Sequence, residues 1–457
     1  MNHLANRNTP YISFPGYNSK SVTGSCNIVF WEKKRIAIDM GLIQTNSLAG
    51  DYRQNRAQTK RIKPNKIDYV IITHLHADHT CGLLSAFHNG CKAKVYIPEG
   101  SISLLRIMLE DSVKIMEQDA VKLSHSKGYE ISPLAELNDV FDVIDACIEV
   151  PFGVEYKIEE GISFQYYHAG HIIYSAQCLL TLQKGSIIKK IGFTGDIGGE
   201  DKSASVHKRE NLPRCHILVG ECTYSDPTRI HSLKKDRQFD KAMIRDVIET
   251  HQKILVPVFA LQRTEDFLSV LSDMDVKIPI YLDSPLACGI LRSWPERLYF
   301  MDKLNFHMID SWEESKILQM LNEHCIILAP SGMLTAGRAL SHLKSILPDR
   351  NNAVLFCGFS LDNTLATEIK NGKRWITVDK ERLENNACIN SLMSFSTHCN
   401  YNQLIDYYTT VECDKLFLVH SEFSNKVKFA NHLQKLMIKL GRSTKVIATN
   451  METKQYF

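Results

Sequence analysis

The sequence has no CxxC pair among its thirteen cysteines, and that count is odd. A zinc ribbon or a disulfide framework is therefore not expected; free, mostly buried thiols in a reducing compartment are. No apolar run approaches the roughly 18 residues needed to cross a bilayer, so no membrane span is expected. The first stretch, "MNHLANRNTPYISFPGYNSKS", lacks a basic segment followed by an apolar one. No signal peptide is expected, and a cytoplasmic location is the default reading. An excess of either charge is missing too. With 54 Lys and Arg against 51 Asp and Glu, the formal charge is +3. No global basic field announces nucleic acid, so such a partner would need a local patch. Repeats and low-complexity linkers are also absent.

What remains is ordinary globular material: 457 residues, 44% hydrophobic and 23% charged. That length suits roughly two to four domains. "NIVFWEKKRIAIDMG" (27–41) reads as two strands around a charged hairpin, and "KIDYVIITHLH" (66–76) as a strand entering a loop. "SISLLRIMLEDSVKIMEQDAVKLSH" (101–125) has helical spacing and no Gly or Pro. Strand patterns return over 147–196. After about residue 226 strands and helices alternate at short spacing, which predicts parallel α/β units.

The chemistry begins at "ITHLHADHTCG" (72–82), where His74, His76, Asp78 and His79 crowd one short loop. In an extended segment His74 and His76 share a side, and Asp78 and His79 turn towards a second position. Imidazoles and carboxylates in that density suit zinc, and two ions better than one. Three later strand ends offer further ligands: His168 and His171 in "HAGHIIYSA", Asp196 in "GFTGDIGG", and His420 in "LFLVHSE".

In that order the motifs resemble the metallo-β-lactamase superfamily, in its β-CASP branch of RNA-processing nucleases. They are similar to the pre-mRNA 3′-end cleavage endonuclease and its bacterial and archaeal relatives. Asp39 in "IAIDMGLIQ", the "THLHADH" loop, His171 and Asp196 match the successive superfamily motifs. Glu221 in "GECTYSD", His398 in "SFSTHCN" and His420 match the branch's own three. The resemblance implies an αββα metallo-β-lactamase sandwich from 1–225 and 387–457, with a parallel α/β β-CASP domain inserted at 226–386.

The same resemblance implies two zinc ions, with manganese as an alternative. His74, His76, His171 and Asp196 would hold the first. Asp78, His79, Asp196 and His420 would hold the second, with Asp196 bridging and Asp78 also in the catalytic set. Asp39 would orient ligands from behind. A zinc pair about 3.5–4 Å apart acidifies a bridging water and neutralises a phosphodiester, so a shared hydroxide would be the nucleophile. His398 is the expected proton donor to the leaving oxygen and Glu221 its orienting partner. Asn400 stands where a carboxylate is usual, which leaves the tuning of His398 open.

Single-stranded RNA is the expected substrate, cut internally or from the 5′ end. The stretch "YRQNRAQTKRIKPNK" supplies a basic patch with Arg56, Lys60 and Arg61. Arg263, Ser331 and His342 are matched by resemblance alone as phosphate-holding residues. The alternatives are another hydrolase of this fold, acting on small esters or lactams, and a non-catalytic RNA-processing scaffold. A homodimer stays open as an expectation.

Overall fold

A computed structural model describes residues 9–16, 22–45, 47–199, 206–227, 233–294, 299–332, 334, 337–358 and 364–457. The chain forms two compact units, one of Met1–Ile230 with His398–Phe457, the other of His231–Thr397. No helix among the described residues is long and apolar enough to cross a membrane.

The first unit is built on two seven-stranded sheets. Its strands are β1 (Tyr11–Ser13), β2 (Asn27–Trp31), β3 (Lys34–Ile38), β4 (Tyr69–Ile71), β5 (Lys94–Pro98), β6 (Cys147–Val150), β7 (Glu155–Glu159), β8 (Ile162–His168), β9 (Ala176–Lys184), β10 (Ile187–Phe193) and β11 (Cys215–Glu221). The insert then carries β12 (Lys253–Pro257), β13 (Ile280–Leu282), β14 (Phe306–Met308), β15 (Cys325–Ala329), β16 (Ala353–Cys357), β17 (Trp375–Val378), β18 (Glu381–Glu384) and β19 (Cys388–Leu392). β20 (Cys413–Val419), β21 (Lys445–Ala448) and β22 (Lys454–Tyr456) complete the first unit.

One sheet runs β22-β1-β2-β3-β4-β5-β6 and the other β21-β20-β11-β10-β9-β8-β7. Alternate side chains of both meet in one core. Ile36, Ile38, Ile71 and Tyr96 come from the first sheet; Phe164, Leu180, Phe193, Val219 and Phe417 come from the second. The other faces are covered as well. Helices Tyr401–Thr410 and Phe423–Lys439 set Leu404, Tyr408, Phe429 and Leu433 against Leu218, Leu416 and Leu418. Ala37, Val70, Val95 and Ile97 of the first sheet are fully buried on the side away from the sandwich core. Helices lie between β3 and β6 in the chain, and the longest, Ile102–Lys127, buries Leu104, Leu105, Leu109 and Val113. The result is a four-layer αββα sandwich. The β2–β3 hairpin turns on Glu32 and Lys33, both at positive φ, as a tight two-residue turn demands.

The second unit has a six-stranded sheet, β14-β13-β15-β12-β16-β19, whose pairings are all parallel. Leu255, Ile327, Val354 and Phe356 from its strands pack on Leu343, Ile346 and Ile369 from its helices. This unit extends past the expected end at 386, because Cys388–Leu392 pairs in register with β16.

Candidate metal centre and its surroundings

β4 ends at Ile71 and delivers Thr73, His74 and His76 to the edge of the sandwich, ahead of the single turn Ala77–Thr80 that carries Asp78 and His79. The loop after β3, together with Ser25 ahead of β2, stitches this turn down. Met40 N donates to the His79 carbonyl at 2.8 Å, Leu42 N to Ala77 at 3.1 Å, and Ser25 N to Asp78 at 2.8 Å. Gly41 sits so close that a Cβ there would lie 1.6 Å from the Asp78 carbonyl oxygen. Only glycine fits that position.

Asp39 anchors the same loop from behind. Its Oδ1 accepts from Thr73 N at 2.7 Å and its Oδ2 from Thr73 Oγ1 at 2.8 Å. Oδ2 also lies 2.8 Å from His79 Nδ1. A carboxylate there assigns the proton to Nδ1 and leaves Nε2 as the ligand atom, the usual support for a metal-binding imidazole. Thr223 Oγ1 lies 2.9 Å from His420 Nδ1 in the same supporting manner. Both Asp39 and His420 have left-handed backbone, with φ of 61° and 57°. Such conformations persist where surrounding contacts over-determine them, often at functional sites.

The side chains gather into two sets that could each hold an ion: His74, His76, His171 and Asp196, and Asp78, His79 and His420. In the first, His76 Nδ1 lies 3.2 Å from both His74 Nε2 and His171 Nε2. Asp196 Oδ2 lies 3.6 Å and 3.8 Å from those same two nitrogens. Four ligands about 2.0–2.1 Å from a tetrahedral zinc would be about 3.3–3.4 Å apart. In the second set His420 Nε2 lies 3.1 Å from Asp78 Oδ2. Asp196 Oδ1 faces this set, 3.5 Å from His79 Nε2 and 3.7 Å from His420 Nδ1. This oxygen is buried and accepts no hydrogen bond among the described residues. A buried carboxylate oxygen without a donor is costly unless a cation faces it. The donor set therefore fits a metal pair, with Asp196 offering one oxygen to each position.

The electrostatics agree. Burial, reinforced by His79 and His76, pushes His74 well below the usual imidazole range, so it is neutral and has a lone pair to give. Burial pushes His79 down too, but Asp196 and Asp39 overcome it and raise this ring to about 10. Burial opposes the charge on Asp78, yet its hydrogen bond to His420 and the nearby imidazoles hold it well below the usual carboxylate range. A site this acidic attracts positive charge.

Beside it, His398 Nδ1 lies 3.1 Å from Glu221 Oε1. Glu221 is 1% exposed and His398 17% in their side chains. Glu221 Oε2 accepts from Thr223 N at 2.8 Å and Oε1 from Ile197 N at 3.2 Å. Burial raises the Glu221 carboxyl, but His398 outweighs it and brings the group to about 2, so it is ionised. Asp196, Glu221 and His398 also come within ligand distance of one another. Asn400 caps helix Tyr401–Thr410, accepting from Gln403 N at 3.0 Å while Gln403 Oε1 accepts from Asn400 N. A carboxylate would fill the same acceptor role.

The expected RNA contacts fare unevenly. The basic stretch is a helix, Leu48–Ile62, with Arg56 and Lys60 exposed. Arg61 turns inward: its Nε donates to the Pro15 carbonyl, Nη2 is buried, and burial lowers its pKa. In the second unit His342 is 0% exposed and its Nε2 lies 2.6 Å from Asp283 Oδ2. Buried in this way, it sits on the inner side of the helix Arg338–Ile346 and presents no exposed surface. Arg263 and Ser331 are half-buried. Arg263 donates to the Cys357 carbonyl and lies 4.9 Å over the Phe259 ring, which also borders Gly332.

Comparison with known proteins matches most of the chain in three pieces. The family model described as Anti-Pycsar protein Apyc1 matches residues 19–255, the Beta-Casp domain 264–369, and the Zn-dependent metallo-hydrolase RNA specificity domain 383–440. Ribonuclease TTHA0252 of Thermus thermophilus is 26% identical over 88% of this chain and 91% of its own. The RNase J-like protein of Methanocaldococcus jannaschii is 25% identical over 90% and 93%. The transcription termination factor FttA of that organism is 26% identical over 94% of this chain and 69% of its own. A solved structure from Enterococcus faecalis, titled a protein of unknown function, shares the fold with a TM-score of 0.59 at 11% identity, over 98% of this chain and 100% of that one.

Proposed function

The chain belongs to the β-CASP branch of the metallo-β-lactamase-fold RNA nucleases, and from that premise we propose that it hydrolyses single-stranded RNA with two zinc ions, which manganese can replace. The observation that carries this reading is Asp196, whose two buried oxygens face two separate ligand sets. His74, His76 and His171 would hold one ion with Asp196 Oδ2. Asp78, His79 and His420 would hold the other with Oδ1. When bound, the metals supply Lewis acidity and neutralise phosphodiester charge.

The chain's own groups do the rest. Asp39 and Thr223 hold the Nδ1 side of His79 and His420, so that Nε2 is the atom each ring would turn to a metal, which would displace the proton there. Glu221, ionised and held by two backbone N–H groups, fixes the His398 ring through Nδ1. Nε2 of His398 is then the atom that hands a proton to the leaving oxygen. Exposed Arg56 and Lys60 attract the phosphate backbone. The test is RNA labelled at either end. Fragments starting from internal positions indicate endonuclease action, and mononucleotides released from the 5′ end indicate exonuclease action. Rapid hydrolysis of a lactam or thioester with RNA untouched overturns the proposal.

A further inference from the structure

His168 was a candidate ligand by its place in "HAGHIIYSA", but the metal sets leave it out. Its ring does something else. It stacks on Phe152 at 4.1 Å between centroids and 15° between planes. Its other face stacks on His207 at 4.3 Å and 20°. Three near-parallel rings thus form a column in the first unit. Phe152 and His168 are half-buried, and His207 at the end is exposed.

The column is firmly held. The backbone N of His168 donates to Glu210 Oε2 at 2.6 Å, and its carbonyl accepts from Glu210 N at 2.9 Å and Gln177 Nε2 at 3.0 Å. Burial, then the neighbouring His207, lowers the His168 pKa, so this ring stacks as a neutral group. His168 and His171 are three positions apart, a span of at most about 11 Å. His207, exposed at the end of the column, is thus tied through His168 to the segment that carries His171. Exposed Lys208 follows directly, offering a cation to a phosphate beside a stacked group.

We propose that Phe152, His168 and His207 form a base-stacking platform, on which His207 receives one nucleobase of the RNA close to the scissile phosphate. The inference rests on the ribonuclease reading above. Stacking on a ring tolerates any base, so the platform positions the strand and does not read its sequence. His207 is a positioning residue, touching substrate but not the reacting atoms.

The test uses the full-length, metal-loaded protein and a set of short 2′-O-methyl RNAs, which resist cleavage, each with 2-aminopurine at one position. Binding should quench the fluorescence at one position with wild type and with His207→Phe, and much less with His207→Ala. On cleavable RNA, His207→Ala should raise KM about tenfold. Its kcat should move far less, its metal content should be unchanged, and His207→Phe should restore KM. A protein that cuts RNA with no position or KM sensitive to residue 207 overturns the platform alone. A metal-loaded protein that neither binds nor cuts RNA overturns the ribonuclease reading and the platform with it.

Discussion

His398 Nδ1 sits 3.1 Å from Glu221 Oε1, and neither residue belongs to the two sets that surround Asp196 from the histidine loop. Glu221 and His398 come within ligand distance of Asp196 as well, so the proposal that gives proton transfer to His398 and metal binding to the two sets is open to a direct test. His398→Ala should keep both metals by elemental analysis and lose about 10²- to 10⁴-fold in cleavage rate. Glu221→Gln should behave the same way, more mildly. A nitrophenyl phosphodiester, whose leaving group needs no proton, should be hydrolysed by His398→Ala at close to the wild-type rate. Loss of a metal from His398→Ala would instead make His398 a ligand.

Asp39 and Gly41 should be detected through the metal. Asp39→Asn cannot accept from His79 and Thr73 as a carboxylate does, and loss of such support typically weakens metal affinity about 10- to 100-fold. Gly41→Ala drives a methyl group into the Asp78 carbonyl and should displace the whole turn. Chelator competition measures both. Wild-type affinity in Gly41→Ala would show that the loop yields more easily than its hydrogen bonds imply.

Asn400 should prove exchangeable with the carboxylate it replaces. Both are good helix caps, so Asn400→Asp should leave stability and cleavage nearly unchanged. Asn400→Ala should cost about 1 kcal/mol in stability. A large change in cleavage rate for Asn400→Asp would place this residue in the chemistry after all.

The candidate ligands stood out in the sequence because histidine and aspartate at that density have few other uses, and because four strand ends offered them in order. The parallel α/β character of the second unit was legible from strand–helix alternation, and its identity as a β-CASP insert only from the motifs' resemblance to that family. The unit's far boundary was not legible, since Cys388–Leu392 looks no different from a strand of the first unit until its pairing with β16 is seen. Thr73 and Thr223 were missed because threonines are common and their partners lie 34 and 197 residues away in sequence. The inward turn of Arg61 and the full burial of His342 were not legible, because residue type does not give burial. That Asn400 caps a helix through Gln403, three residues on, was not legible while the residue was read only as a departure from the usual carboxylate.

The second unit offers a prediction in pH. Asp283 is buried, which raises its carboxyl. Bonds from His342, Ser315 and Arg338 outweigh that and hold it below the usual carboxylate value. Its folded pKa is thus below its unfolded one. The stabilisation is complete above about pH 4 and is lost as pH falls further towards the folded value. Asp283→Asn should lower stability at pH 7 by roughly 3 kcal/mol, as breaking a buried charged pair does. The gap to wild type should shrink below about pH 4. Denaturant melts across that range would show it, and a gap independent of pH would remove the charge from the explanation.

The central claim is that the two ligand sets sharing Asp196 hold the metals that cut RNA. The most direct measurement follows metal content and cleavage of end-labelled single-stranded RNA together, in wild type and Asp196→Ala. Wild type should carry close to two zincs per chain, cut the RNA, stop when stripped by chelator and resume when zinc is restored. Asp196→Ala should lose both ions and stay inactive at every zinc concentration. Undiminished RNA cleavage by metal-free wild type, or by Asp196→Ala, would contradict the account.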